Sequence, residues 1–451
     1  MLDILIKDGK YPDFENGNFV KGDIAIKDGK IVKIGRISEE ANLEIYADGK
    51  IVSPGFIDIH MHEENFVNEG EKYVIANMML HMGVTTCLGG NCGVQYQDLK
   101  TFKHYIDKLG GSPVNYLMLA GYNSFRKKIG VNIYSKATTE QKQELLKIMI
   151  EEINEGAYGF SFGIEYDPGI DIEEIMNILG NFEDKNLFVS AHYRADSTKS
   201  LEAINEMIEV AELSKMKFQI SHLSSCSAMG QMKESLQIIN NAIKNNPKIN
   251  YDTYPYNAFS TEIGSAVFDE GCFETWNKSY DSILITDGEY KNQFCTKELF
   301  EKIRRESPEM LVVAFVMNED EIAQAIENEY GMIASDGIIN NGNGHPRAAG
   351  TFPRVLGKYV REEKVISLEE ALRKMTLEPA KRLNLHKKGN IKEGYDADIT
   401  IFDPNTIADG ATFEELNILP KGIDYVIVNG KVAVKGNAII DNRAGKFISY
   451  K

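Results

Sequence analysis

From about residue 55 to about residue 388, short apolar runs alternate with amphipathic stretches of helical period, and this alternation limits the folds open to the chain. The runs include GVTTCLGG, VNYLMLAG, GAYGFSFG, LFVSAH, FQISH and MIASDG. Between them lie TTEQKQELLKIMIEEINEG, SLEAINEMIEVAELSK, QMKESLQIINNAIKNN and LEEALRKM. Strands that alternate with helices build parallel βαβ units, because a parallel neighbour is reached only by a crossover. A long succession of such units favours a closed (β/α)8, TIM-like α/β barrel over an open sheet.

The two ends of the chain read differently. LDILIKDGKYP, GDIAIKDGKIVKIG and LEIYADGKIVSPG are short strands punctuated by Asp-Gly-Lys, a hairpin signal. DADITIFDP and IDYVIVNGKVAVKGNAII repeat the style near the other end, with Asn-Gly-Lys at the turn. The expectation is one small discontinuous β-sandwich from residues 1–54 and 389–451, with two separate β appendages as the alternative. The barrel then occupies 55–388. Within it, 262–310 breaks the rhythm with polar and aromatic residues, which predicts an active-site cover or a disordered loop.

Charge and composition narrow the class. Lys+Arg 50 against Asp+Glu 67 leaves a net charge of −17, with no basic surplus for nucleic acid or an anionic membrane. No apolar run approaches the ~20 residues that span a bilayer. The five cysteines, an odd number, suit a reducing compartment and free or metal-bound thiolates, so a cytoplasmic protein is expected. No GxGxxG or GxxxxGK[ST] loop is present to cradle a nucleotide.

In a (β/α)8 barrel, chemistry sits at the carboxyl ends of the strands. The run PGFIDIHMH places His60 and His62 two residues apart, on one face if extended. Cys92 follows GVTTCLGGN, His192 ends LFVSAH, His222 ends FQISH and Asp336 ends MIAS. His81, His104 and His386 fall in or beside helical stretches and read as ordinary. Singly, Cys92 could be an inert buried thiol and Asp336 a turn residue before Gly337. Together, the six suit a borderline-soft ion, zinc above others, that lowers the pKa of water and polarises a carbonyl. Asp336 is then the natural general base and acid.

PGFIDIHMH with His192, His222 and the later SDG resembles the amidohydrolase superfamily. GNCGV (90–94), HYR (192–194), DTYPY (252–256) and HPRAAGTFPRVLGKYVRE (345–362) are similar to the N-acyl-D-amino-acid deacylase, or D-aminoacylase, family. The resemblance covers nearly the whole chain. It implies the barrel with a β-sandwich from both ends. It also implies tight zinc ligation by Cys92, His192 and His222, with His60, His62 and Asp336 completing a second, weaker position. Arg347 would grip the substrate carboxylate, Tyr254 would hydrogen-bond the scissile carbonyl, and Ser260 would lie near another carboxylate contact. The implied partner is a small N-acyl amino acid, with oligomeric state left open.

The sequence departs from that family at several points. The family's His-x-Lys reads His222-Leu223-Ser224, so Ser224 is the substrate-binding candidate where that family has a cation. Arg194, Lys127 and Lys128 are candidates to compensate. GH-x-x-x-R reads with Tyr122 for the histidine, and Asp196 stands where glutamate is usual. The alternatives are a cyclic-amide hydrolase of the dihydroorotase or hydantoinase type, a dipeptidase-type enzyme and a non-catalytic barrel. Those cyclic-amide enzymes typically bridge two metals with a carboxylated lysine, and GAYGFSFGIEY contains none. Glu165 in that stretch reads as a supporting residue behind the ligands, with extra ligand or substrate contact as its alternatives.

Overall fold

The computed structural model describes residues 1–182 and 186–450. Parallel strands dominate its middle. Phe56–Asp58, Val84–Gly89 and Asn115–Met118 form one parallel sheet. Ala120–Gly121, Gly159–Gly163, Phe188–His192, Lys217–Ile220, Ile249–Thr253 and Met332–Ile333 form a second, also parallel throughout. Backbone hydrogen bonds run between the two sheets on both sides. Tyr158 N donates to Met118 O at 2.8 Å, Asp336 N to His60 O at 2.8 Å and His62 N to Gly337 O at 2.9 Å.

Local sequence explains why the intervening stretches are helical. Thr138 caps the helix Thr139–Glu155 with a full capping box: its hydroxyl accepts from Gln141 N, and the Gln141 side chain accepts from Thr138 N. Gly156, in the left-handed conformation, ends the helix. Asp98, Asp171, Thr296 and Ser367 cap four further helices in the same way. Strands facing both the interior and the helix layer do not alternate with exposed positions, as GFSFG and VTTCLG are buried throughout.

Strands from the two chain ends share one nine-stranded sheet. Its order runs Ala438–Ile439, Lys431–Lys435, Ile423–Val428, Ile399–Phe402, Ile51–Pro54, Leu2–Asp13, Asn18–Lys27, Lys30–Gly35, with Ala41–Tyr46 also on Leu2–Asp13. The ends meet where Ile399–Phe402 pairs antiparallel with Ile51–Pro54. Ile4, Ile26 and Ile45 accordingly pack in one cluster with Ile399, Ile401 and Ile427. Two of the expected hairpins form. Asp28-Gly29 and Asn429-Gly430 both adopt positive φ at the turn, as a two-residue type I′ loop requires.

Asp8-Gly9 does not turn. It is a bulge within the single strand Leu2–Asp13, with a register shift between Ile6 and Gly9. A Cβ on Gly9 would lie 2.3 Å from Val52 Cγ2, so this glycine serves close packing. Asp48-Gly49 also falls short of a hairpin, because Ala41–Tyr46 and Ile51–Pro54 both pair in parallel with Leu2–Asp13.

The irregular stretch is ordered. Phe259–Glu262, Leu311–Ala314 and Ile283–Ile285 make a three-stranded antiparallel sheet, with Leu311–Ala314 in the centre. The helix Lys297–Glu306 accompanies it. The residues that looked merely aromatic are its core: Phe268, Phe273, Trp276 and Phe300 make mutual edge contacts at 5.5–5.8 Å. No helix among the described residues is long and apolar enough to cross a membrane.

One buried carboxyl couples this fold to pH. Glu152 accepts from Gln95 Nε2 at 2.7 Å and from Leu99 N at 3.1 Å, yet burial outweighs these bonds and raises its pKa to about 7. Its native pKa lies above the unfolded value of 4.5, so the native state binds the proton more tightly. Glu152 therefore makes stability fall as pH rises from about 4.5 to 7. In Glu152→Gln, the thermal unfolding temperature should decline less across that window than in the parent. An identical pH slope in both proteins would refute this coupling.

Candidate metal centre

All the ligand candidates stand at the carboxyl ends of parallel strands. His60 and His62 follow Phe56–Asp58, Cys92 follows Val84–Gly89, and His192 ends Phe188–His192. His222 follows Lys217–Ile220, and Asp336 follows Met332–Ile333. Three of them adopt left-handed backbone: Cys92 with φ 54°, His222 with φ 32° and Asp336 with φ 49°. Such conformations are uncommon for residues with a Cβ and cluster at functional sites.

These turns bring the donor atoms together. His60 Nε2 lies 3.2 Å from Cys92 Sγ and 3.3 Å from Asp336 Oδ1. Cys92 Sγ lies 3.4 Å from His222 Nε2, and His62 Nε2 lies 3.4 Å from Asp336 Oδ1. Donor atoms of His60, Cys92, His222 and Asp336 all fall within 4.8 Å of one another, and all four residues are buried. His192 packs its ring 4.5 Å from that of His222, beside Cys92. Its Nδ1, like that of His62, is buried without a hydrogen-bond partner. Convergent soft and borderline donors with orphaned imidazole nitrogens fit a zinc-like cation.

The charges of the centre support each other. Burial pushes the Cys92 thiol up, but the adjacent His60 and His222 charges hold it well below the ordinary thiol range. Burial likewise opposes ionisation of Asp336, and the Arg347 guanidinium and His222 overcome it. Burial lowers His62, yet Asp336 and Cys92 bring it up to about 9. The basic groups around Cys92 and Asp336 thus favour their ionised forms in a dry site.

Behind the donors stands Asp252, which sequence reading passed over inside DTYPY. Its Oδ1 lies 3.0 Å from His60 Nδ1 and accepts from His222 N at 2.8 Å; its Oδ2 accepts from Gln219 Nε2 at 3.2 Å. One carboxylate therefore holds the ring of one candidate ligand and the backbone of another. Asp58 accepts from His60 N and from Ser335 N, joining the first ligand strand to the last. The available signal was an acid inside the strand-forming run INYDT, where an unpaired buried charge is costly.

Arg347 begins the helix Arg347–Arg354 and is 2% exposed. Its Nη1 sits 2.9 Å from Asp336 Oδ2, and its Nη2 donates to Ser260 O at 3.2 Å. Its Nε has no partner, and neither has Ser260 Oγ. Both residues line a small cavity together with His192, His222, Glu165 and Asp336. Phe259, Thr261 and Val267 cover part of the same cavity.

Two residues expected to touch substrate lie outside the lining of this cavity. Ser224 is fully buried, its hydroxyl bonds that of Thr253, and it does not line the cavity. Tyr254 is also fully buried, with its hydroxyl 3.8 Å from Met317 Sδ and its ring 4.7 Å from the Arg347 guanidinium. Tyr254 therefore supports Arg347 by cation–π contact. Arg194 does not compensate for the absent lysine: Glu206, Pro168 O and Ile170 O occupy it. Tyr122 and Arg126 both bond Glu174, a buried structural set.

Comparisons with known proteins point to one group. A model described as amidohydrolase family matches residues 322–434. A D-aminoacylase of Alcaligenes xylosoxydans xylosoxydans is 28% identical, covering 99% of this chain and 98% of the relative. From the same organism, an N-acyl-D-glutamate deacylase is 27% identical over 99% of this chain and 96% of its own length. A structure of N-acyl-D-glutamate deacylase from Bordetella bronchiseptica, with zinc and a phosphonate mimic of the tetrahedral intermediate, superposes with a TM-score of 0.89. It is 27% identical and covers 99% of both chains. The chain is similar along its whole length to the N-acyl-D-amino-acid deacylases of the amidohydrolase superfamily. An L-hydantoinase from Arthrobacter aurescens, at 15% identity and a TM-score of 0.66 over 100% of both chains, shares the fold.

The GNCGV turn that carries Cys92 depends on Gly93. With φ 74°, Gly93 would place a Cβ 1.8 Å from Asn123 Oδ1, the atom that accepts from Gly163 N. Gly93→Ala should lower the unfolding temperature and reduce zinc bound to the purified protein. Parent-like values of both would show that the turn tolerates a side chain.

Proposed function

We propose that this chain hydrolyses the amide bond of an N-acyl-D-amino acid or a close analogue. The observation that carries this reading is the Arg347–Asp336 pair beside the thiolate–imidazole set, at the edge of a cavity that Ser260 also lines. Cys92, His192 and His222 would hold one zinc tightly, and His60, His62 and Asp336 would complete a second, weaker position. Zinc bound there supplies a Lewis acid that lowers the pKa of water and polarises a carbonyl.

The side chains do the rest. The free Arg347 Nε and Ser260 Oγ suit a substrate carboxylate, which a planar guanidinium binds through paired donors. A carboxylate arriving there shares the guanidinium with Asp336. Arg347 then holds Asp336 less firmly ionised, and its pKa moves toward the range useful for proton transfer. Asp336 takes the proton from the attacking water and passes it to the departing amine nitrogen. Asp252, Asp58 and Tyr254 keep these groups in place.

The wider architecture follows the same reading. The two parallel sheets would together make a closed (β/α)8 barrel over 55–388, the hydrogen bonds between them at both sides supporting closure. Residues 1–54 and 389–451 would make one discontinuous β domain, which their shared nine-stranded sheet supports, and 262–310 would act as a cover on the cavity. Where a cyclic-amide hydrolase would need a bridging lysine, the strand Gly159–Gly163 has none and Glu165 follows it.

A screen of N-acetyl and N-formyl D- and L-amino acids, with small cyclic amides and dipeptides, tests the substrate class. Release of amino acid only from the L-series or from cyclic amides would refute it. Asp336→Asn should cut turnover by at least about 10²-fold while the tight zinc remains. Activity within about tenfold of the parent would remove Asp336 from the acid/base role. Arg347→Ala should raise KM for carboxylate substrates at parental zinc content; an unchanged KM places the carboxylate elsewhere.

A further inference from the structure

The proposed reaction leaves Glu165 without a task, although its Oε2 lies 2.7 Å from Nε2 of His192. The His192 side chain is 5% exposed and that of Glu165 13%, so the pair is largely withdrawn from water. A neutral imidazole carries a single proton. With that proton on Nε2 and donated to Glu165, the Nδ1 lone pair is free, and Nδ1 is the buried nitrogen that no protein group satisfies. It belongs to a ring packed against His222 and beside Cys92.

We propose that Glu165 is a positioning residue for His192: it fixes the proton on Nε2 and the tilt of the ring, so that Nδ1 faces the metal shared with Cys92 and His222. This rests on the zinc reading above. The same outer edge of His192 is closed by Cys226, whose Sγ lies 3.8 Å from Nε2. Behind Cys226, Asp196 accepts from Trp276 Nε1 at 3.3 Å, so the segment over the cavity reaches the ligand's back side. Carboxylates bonded to the far nitrogen of a ligating histidine typically contribute about 10–100-fold in metal affinity.

The competing arrangement is specific. Glu165, His192 and Cys226 also bring donor atoms within 4.8 Å of one another, and a metal held through Nε2 would occupy that trio instead.

Zinc affinity of the full-length protein, measured by competition with a chromophoric chelator, separates the two. Alongside it, thermal unfolding of the metal-free proteins reports fold integrity. Glu165→Leu should weaken zinc binding about 10–100-fold with the metal-free unfolding temperature unchanged. Glu165→Gln, which keeps an acceptor but loses the charge, should weaken it less, and Glu165→Asp should restore part of the affinity. An unchanged affinity in Glu165→Leu overturns the proposal. So does a second zinc in the parent that Glu165→Leu and Cys226→Ser both lose while the first stays bound. A parent that binds no zinc instead overturns the functional reading, and this proposal with it.

Discussion

The site depends on the hydrogen bonds between the last parallel strand and the first. Asp336 N donates to His60 O, and His62 N donates to Gly337 O. These bonds bring the carboxylate proposed as acid and base beside the histidine pair, from the far end of the barrel segment. Asp58 locks the same seam from below by accepting from both His60 N and Ser335 N. Backbone geometry at the seam then fixes side-chain geometry. Asp336 turns through a left-handed conformation immediately after its strand, and its oxygens reach His60, His62 and Arg347 together.

What makes so polar a centre tenable in the protein interior is charge pairing. An isolated thiolate or carboxylate in a dry interior would neutralise itself by taking up a proton. Here the Cys92 and Asp336 anions stand among imidazoles and a guanidinium, so each ionised group lowers the cost of the next. Asp252 shows the same economy, binding one ligand through its ring nitrogen and another through its backbone amide. Removal of any member leaves the others with uncompensated charge, and the ligand set is best understood as one unit.

The covering segment shows where sequence pattern loses information. Its polar and aromatic composition reads as loop because neither a period of two nor one of 3.6 persists for long. The rings instead pack on one another, with Trp276 at the junction of Phe268, Phe273 and Phe259. Its central strand, Leu311–Ala314, lies beyond the irregular stretch and draws the segment into a sheet. The Asp8-Gly9 bulge is the same lesson in miniature. The dipeptide permits a tight turn, but partners on both sides hold the strand extended.

The sequence by itself determined the alternating strands and helices, the β character of both ends, and the six ligand candidates at strand ends. Those properties are local: apolar period, caps and turn dipeptides act within a few residues, and a ligand at a strand end is visible from the run that precedes it. The tertiary structure alone decided which residues meet. It paired Ile51–Pro54 with Ile399–Phe402, put Asp252 behind two histidines and set Glu165 against His192. It also set the Ser224 hydroxyl against that of Thr253 and the Tyr254 ring against Arg347. Such contacts join distant segments, and their cost and gain arise from burial and charge in three dimensions, which no stretch of sequence carries alone.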